Sequence, residues 1–166
     1  MAEEKPAGPA VAGPVTPPVV RPRRLRRTPG LRRLVAETSV EARQLILPVF
    51  VREGLEEPQP ISTMPGVVQH SLDSLVEAAR EAVAAGVGGL MIFGVPLERD
   101  ETGSGATDPD GILNVALRRL RDELGDETVL MADLCLDEFT SHGHCGVLDQ
   151  QGRVDNDATL ERYAEM

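Results

Sequence analysis

The sequence predicts an α/β fold built on a parallel sheet, and three observations carry that prediction. Three apolar runs, Gln44 to Val51, Gly89 to Gly94 and Thr128 to Leu136, recur about forty residues apart. None alternates with polar residues, which is how a strand covered on both faces reads. Each run is followed by a stretch whose apolar residues fall at helical spacing, so the order is strand, helix, three times over.

The elements follow in chain order. Residues 1–20 are expected to form a disordered, Pro-rich tail, since seven of the chain's 13 prolines fall within residues 1–29 and little apolar surface is there to offset ordering. Residues 21–43 read as a basic arm, Arg-Pro-Arg-Arg-Leu-Arg-Arg-Thr-Pro-Gly-Leu-Arg-Arg and its continuation, with Leu25, Leu31, Leu34 and Val35 as a thin apolar thread. Residues 44–166 hold the α/β body. Pro48 interrupts the first run, and a central strand loses a ladder bond at proline. Ser71 is expected to cap a helix carrying Leu72, Leu75, Val76, Ala79 and Val83, with Gly86 as its stop. Asp108 is expected to cap the next, with Pro109 at its first position and Ile112, Leu113, Ala116, Leu117, Leu120 and Leu124 as its stripe. Asn156 or Asp157 opens a third helix with Leu160, Tyr163 and Ala164 on one side. That helix has no stop signal before Met166, so the chain reads as cut rather than finished.

Composition limits the function classes. The net charge of −10 divides unevenly: residues 1–52 carry +6 and residues 53–166 carry −16. A basic arm of this kind suits nucleic acid or the acidic body of a neighbouring copy, and the leucines among its arginines favour the second. Two cysteines give no disulfide framework, and beside histidines they read as reduced thiols or thiolate ligands in a cytoplasmic protein. The amino terminus has neither a signal-peptide nor a transit-peptide pattern, and no apolar run approaches membrane-spanning length. Gly103 to Thr107 lacks the lysine of a phosphate loop.

The chemistry concentrates at the third apolar run. Asp133 to Gly146 contains both cysteines, two of the three histidines and three carboxylates. If the strand runs to Leu136, alternation puts Val129, Met131, Asp133, Cys135 and Asp137 on one face and Leu130, Ala132, Leu134 and Leu136 under a helix. Asp133 is then the deepest carboxylate and calls for a hydrogen bond or a cation. Cys135 and Cys145 stand ten residues apart across a Gly-bracketed loop. With Asp137 they supply three metal ligands, and His142 or His144 is an alternative to Asp137.

The stretch Asp133 to Gly146 resembles the metal-binding segment of the porphobilinogen synthase (5-aminolevulinate dehydratase) family. Arg23 to Arg26, Leu47 to Val51 with Glu53-Gly54, Met64-Pro65-Gly66-Val67, Phe93 to Pro96, Gly103 to Asp108 and Val154 to Thr159 match in the same order. The resemblance covers residues 21–166. It implies a (β/α)8 TIM barrel of which the first three βα units are present, preceded by an extended arm that wraps a neighbouring subunit, in an octamer. It implies the condensation of two 5-aminolevulinate molecules into porphobilinogen, in tetrapyrrole and heme synthesis, through two lysine Schiff bases. It makes Cys135 and Cys145 two of three zinc ligands, with Asp137 where the third cysteine would be, and Asp133 an active-site aspartate acting as proton relay or ammonium partner. Zinc is favoured by the two thiols, with Mg2+ the alternative that the harder Asp137 oxygen introduces. The only lysine is Lys5, in the tail, so this chain alone is expected to be inactive. The other reading is a small non-catalytic metal-binding module with a basic arm. Neither nucleic acid nor membrane is expected as a partner.

Overall fold

The structure, a computed structural model, describes residues 23–166. The tail expected over residues 1–20, with Lys5, lies outside the described residues. The chain divides into two compact units, one ending at Ser39 and one spanning Val40–Met166.

The described residues of the first unit form a 3-10 turn, Arg24–Arg26, and a short helix, α1 (Pro29–Leu34). Thr28 caps α1: its hydroxyl oxygen accepts the Leu31 N–H at 3.1 Å, and Pro29 takes the first position, where its missing N–H costs nothing. None of its described residues is buried, and Leu25 and Leu34 stand in the open.

The second unit is a five-stranded sheet in the order β2-β3-β1-β4-β5: β1 (Ile46–Arg52), β2 (Gln59–Pro60), β3 (Val68–His70), β4 (Gly89–Val95) and β5 (Val129–Ala132). β1 pairs in parallel with β3 and β4, β4 pairs in parallel with β5, and only β2–β3 is antiparallel. Helices α2 (Leu72–Ala84) and α3 (Ile112–Leu124) lie on the sheet, and α4 (Asn156–Glu165) follows a long loop.

The predicted α2 forms as its signals dictate. The Ser71 hydroxyl oxygen accepts the Ser74 N–H at 3.2 Å, and Gly86 reverses the chain at φ +79, a conformation that side chains disfavour. The start of α3 differs from expectation. Its N-cap is Gly111, not Asp108. Asp108 instead closes a turn, its carbonyl accepting the Gly111 N–H at 3.0 Å and its carboxylate the Asp110 N–H at 2.9 Å. The local Asp-Pro-Asp-Gly turn outcompetes the cap three residues early.

Leu75, Val76, Ala79 and Ala82 of α2 and Ile112, Leu113, Ala116, Leu120 and Leu124 of α3 meet Val49, Val51, Leu90 and Ile92 of the sheet, and Leu136 and Phe139 join this core. Each Val, Leu, Ile or Phe side chain among them contributes roughly 1.5–3 kcal/mol when fully buried. On the opposite face Phe50 and Phe93 stack with ring centres 5.1 Å apart.

Burial along the strands corrects the expectation of uniform cover. Leu45, Ile46 and Leu47 are exposed, and β1 is buried only from Val49 onward. The reason is pairing: β3 reaches β1 only at Phe50 and Val51. Pro48 exploits the same gap. Leu45 and Glu53 direct their backbone groups to the β4 side, so Pro48, an odd number of residues away, directs its missing donor to the unpaired side. The third strand is also shorter than expected, ending at Ala132, with Val129 and Leu134 exposed because β5 is the sheet's last strand. A groove of about 620 Å³ lies beside it, lined by Gly88, Leu117, Arg121 and Thr128 to Leu130. No helix among the described residues is long and apolar enough to cross a membrane.

Candidate metal centre

The candidate centre is a loop, not a strand face. The last ladder bond of β5 runs from the Asp133 N–H to the Ile92 carbonyl at 3.0 Å. Beyond it Leu136 and Phe139, both fully buried, anchor a tight turn in which Phe139 and Thr140 both donate to the Leu136 carbonyl at 2.9 Å. The turn is tied to the segment after β4: Ser141 donates to the Asp100 carbonyl at 2.8 Å and Asp100 to the Phe139 carbonyl at 3.3 Å. Thr140, also buried, donates its hydroxyl to the His144 carbonyl at 2.9 Å. The chain is thereby folded back until Cys145 faces Cys135.

One ligand atom each from Cys135, Asp137 and Cys145 then lies within 4.8 Å of the other two. Cys135 and Asp137 are half-buried, while Cys145 is exposed. This closure depends on Gly146, which is buried: a Cβ there would stand 2.6 Å from the Thr159 hydroxyl oxygen and 2.7 Å from a Val154 methyl. Only a residue without a side chain lets α4 approach this closely.

The histidines do not join the cluster. His142 Nδ1 accepts the His144 N–H at 3.1 Å, so its proton sits on Nε2, which faces the Glu101 carbonyl at 3.1 Å. Both ring nitrogens are thus engaged in holding the loop, and the alternative in which His142 replaces Asp137 is not the one the loop adopts. His144 is exposed and outside the cluster.

Negative groups crowd the site. Burial, a hydrogen bond with Asp137 and proximity to Cys145 push the Cys135 thiol up to about 12. Burial and then the Asp137 charge raise Asp133 above the usual carboxylate range. Glu138, which sequence reasoning counted but assigned no part, is shifted further than Asp133. Burial first, then Asp133 and Asp137, raise it to about 7, against the Gly94 N–H and Arg99. Its Oε2 is buried and has no hydrogen-bond partner among the described residues. The deepest carboxylate is therefore Glu138, not Asp133, because the chain leaves the strand after Ala132 and the turn carries the next acids inward. Two thiols and three carboxylates, only partly offset by Arg99 beside Glu138, form a set of donors suited to a dication.

Around the centre, Asp100 organises the loop that follows β4. Its carboxylate accepts from the Ser104 hydroxyl, and from the N–H groups of Thr102 at 2.9 Å and Ser104 at 3.0 Å. These bonds, the Ser104 hydroxyl first, hold Asp100 well below the usual carboxylate range. Helix α4 begins at Asn156, one of the two expected starts, and is capped by Asp155, whose carboxylate accepts the Asp157 and Ala158 N–H groups.

A parallel sheet whose carboxyl end carries a thiol and carboxylate cluster, with helices packed on one face, is an open part of a (β/α)8 barrel with a candidate metal site at its mouth. Sequence relationships agree. The chain belongs to the delta-aminolevulinic acid dehydratase family, whose pattern matches residues 19–166. It is 67% identical over 151 residues to a delta-aminolevulinic acid dehydratase of Mycobacterium tuberculosis, covering 90% of this chain and 46% of that protein. The corresponding Escherichia coli protein is 41% identical over 147 residues, covering 89% of this chain and 45% of the relative. The chain thus spans about half the length of the curated relatives it matches. Among solved structures, the Toxoplasma gondii delta-aminolevulinic acid dehydratase (porphobilinogen synthase), crystallised with the reaction product porphobilinogen, superposes with a TM-score of 0.82 at 34% identity. That match covers 90% of this chain and 43% of the other.

Proposed function

We propose that this chain provides the arm and the metal-binding part of a porphobilinogen synthase, which condenses two 5-aminolevulinate molecules in tetrapyrrole and heme synthesis. The observation that carries the reading is the convergence of Cys135, Asp137 and Cys145 within 4.8 Å in a member of this family. The donor set fits zinc: two sulfurs and one carboxylate oxygen leave a fourth tetrahedral position open, as catalytic zinc sites do. Asp137 makes the site harder than three thiols and narrows the preference for zinc over magnesium. Bound there, zinc would supply Lewis-acid polarisation of a substrate oxygen.

The chain's own residues do the rest. Asp133, at the carboxyl end of β5, offers its carboxylate to a substrate ammonium or relays a proton. Glu138, whose carboxyl is raised to about 7 first by burial and then by its acidic neighbours, gives up its proton less readily than an ordinary carboxyl and so limits local negative charge until a cation arrives. The stacked Phe50 and Phe93 give the mouth of the sheet an apolar floor. Schiff-base chemistry needs lysine amines, and this chain's single lysine is Lys5. The purified 166-residue chain is therefore expected to bind one zinc without turning over 5-aminolevulinate. Turnover above background by this chain alone, lost on Cys135→Ser, would overturn the division of labour proposed here.

The arm over residues 21–43 docks on a second subunit in this reading, supported by its exposed Leu25 and Leu34 among arginines, and the full assembly is an octamer in the cytoplasm. A non-catalytic metal module is disfavoured by the family match over the body as well as the loop.

A further inference from the structure

The cluster is built from two stretches of one loop, and Cys145, its most exposed member, is bracketed by Gly143 and Gly146. Something must hold Cys145 opposite Cys135. Among the described residues, a single hydrogen bond engages the Cys145 backbone, and it comes from outside the loop: the Tyr163 hydroxyl donates to the Cys145 carbonyl. The same hydroxyl oxygen stands 3.9 Å from the Cys135 sulfur. One phenol therefore touches both cysteines, one through its carbonyl and one beside its thiol.

Helix α4 is well placed to act as the rigid side of this contact. Its first turn is capped by Asp155. Thr159 accepts the Val147 N–H at 3.0 Å and donates to the Asp155 carbonyl. Arg162, nearly buried, reaches the carbonyls of Thr102 at 3.2 Å and Gly103 at 3.1 Å and the Thr107 hydroxyl at 2.9 Å. Tyr163 thus projects from a helix fixed on the loop after β4, and its ring packs on the buried core.

We propose that Tyr163 is a positioning residue for the Cys135–Asp137–Cys145 cluster, setting the separation of the two sulfurs from helix α4. This inference rests on the metal-binding reading of the cluster. Tyr163 is not a ligand here: its hydroxyl is committed to a carbonyl, and it acts by orienting the residue that binds, as outer partners of metal ligands do.

Composition supplies a direct test. Tyr163 is the only tyrosine, and the chain has no tryptophan, so tyrosine emission reports this one side chain. The 166-residue chain, kept reduced and freed of metal, is titrated with Co2+ to follow the thiolate-to-cobalt absorption and with Zn2+ to follow tyrosine emission. The expected result is a change of emission that saturates at one zinc per chain. Tyr163→Phe, which keeps the ring, is expected to bind both metals about tenfold or more weakly with a similar cobalt spectrum. Equal affinity in Tyr163→Phe, or emission that stays flat through saturating zinc, overturns the positioning role while leaving the metal site standing. No thiolate-to-cobalt band in the unaltered chain overturns the metal site itself, and this inference with it. Should Tyr163→Phe fail to fold, the emission titration of the unaltered chain decides alone.

Discussion

The helix-covered centre of the sheet and the loop from Asp133 to Val147 are held by different forces. In the first, Leu75, Ala79, Leu90, Ile92, Ala116 and Leu120 are fully buried against one another, and no polar side chain is needed to define their places. In the second, Leu136, Phe139 and Thr140 supply the fully buried side chains, and the path is set by individual bonds: Ser141 to Asp100, Thr140 to His144, His144 to His142, Tyr163 to Cys145. Dispersed apolar packing tolerates the loss of a cation, whereas a chain of single hydrogen bonds that ends on thiols and carboxylates gains much of its order from one. The two regions should therefore answer metal removal and mutation in opposite ways.

The largest effect is expected in the packed centre. Leu120→Ala removes a fully buried side chain facing both helices and sheet, and should cost about 2–5 kcal/mol in urea unfolding, equally with and without zinc. Cys145→Ser should show the reverse: little change in the chelated protein, and loss of the stabilisation that zinc otherwise gives, about 2.7 kcal/mol at a hundredfold excess over Kd. If zinc rescues neither more nor less in Cys145→Ser than in the unaltered chain, the cluster is not where the metal binds. Gly146→Ala joins the two regions. Its new methyl would meet Thr159 and Val154, with an overpacking cost of about 1–3 kcal/mol and a weakened zinc affinity, because α4 must move away from the loop. Unchanged affinity there would separate α4 from the centre.

The same contrast explains what could be read from the sequence. Packed elements announce themselves by periodicity: Ser71 with Leu75, Val76 and Ala79 defines α2, and the apolar run at Gly89 to Gly94 defines β4. Short polar elements do not. Gln59–Pro60 and Val68–His70 pair as β2 and β3 with only two or three residues each, and one contains a proline. The cluster itself was legible from residue type, since Cys135, Asp137 and Cys145 are soft and hard donors around a glycine-bracketed loop. Its geometry was not. Alternation extended past Ala132 assigned Leu134 to the interior, yet it is exposed, and assigned the deepest place to Asp133, which Glu138 occupies. A turn anchored by Leu136 and Phe139 ends the pleat, and no period in the sequence marks where a pleat stops. Tyr163 read as one residue of an apolar stripe because its hydroxyl partner is a backbone carbonyl, which carries no sequence signature.

A smaller effect, about 1 kcal/mol, is expected from Asp155→Ala, which removes the cap of α4 and should lower the melting temperature by a few degrees. Because α4 carries Tyr163, the same change should loosen zinc binding, which the equivalent uncapping of α2 by Ser71→Ala should not. Calorimetry and a zinc competition assay on both variants separate helix stability from loop position.

The smallest expected effect is the pH response of Glu138, and it tests whether the loop is strained by charge. Its carboxyl ordinarily titrates near 4.5 and in the fold near 7, so the folded state binds the proton more tightly than the unfolded one. The stability this contributes is fully present below about pH 4.5 and is lost as pH rises through 7. Asp100 has the opposite sign: its carboxyl is held below its ordinary 3.8, so its contribution is present above that pH and fades below it. In the metal-free chain the melting temperature should therefore decline from pH 5 to pH 8, with only part of the full shift realised because the carboxyl is partly solvated. Glu138→Gln, which keeps the shape and removes the titration, should flatten the decline. Saturating zinc should flatten it in part, since burial is the main cause that raises Glu138 and a dication beside Asp137 offsets the further repulsion from Asp133 and Asp137. A slope that survives Glu138→Gln would place the titrating group elsewhere, and a slope unmoved by zinc would mean that the cation does not sit among these carboxylates.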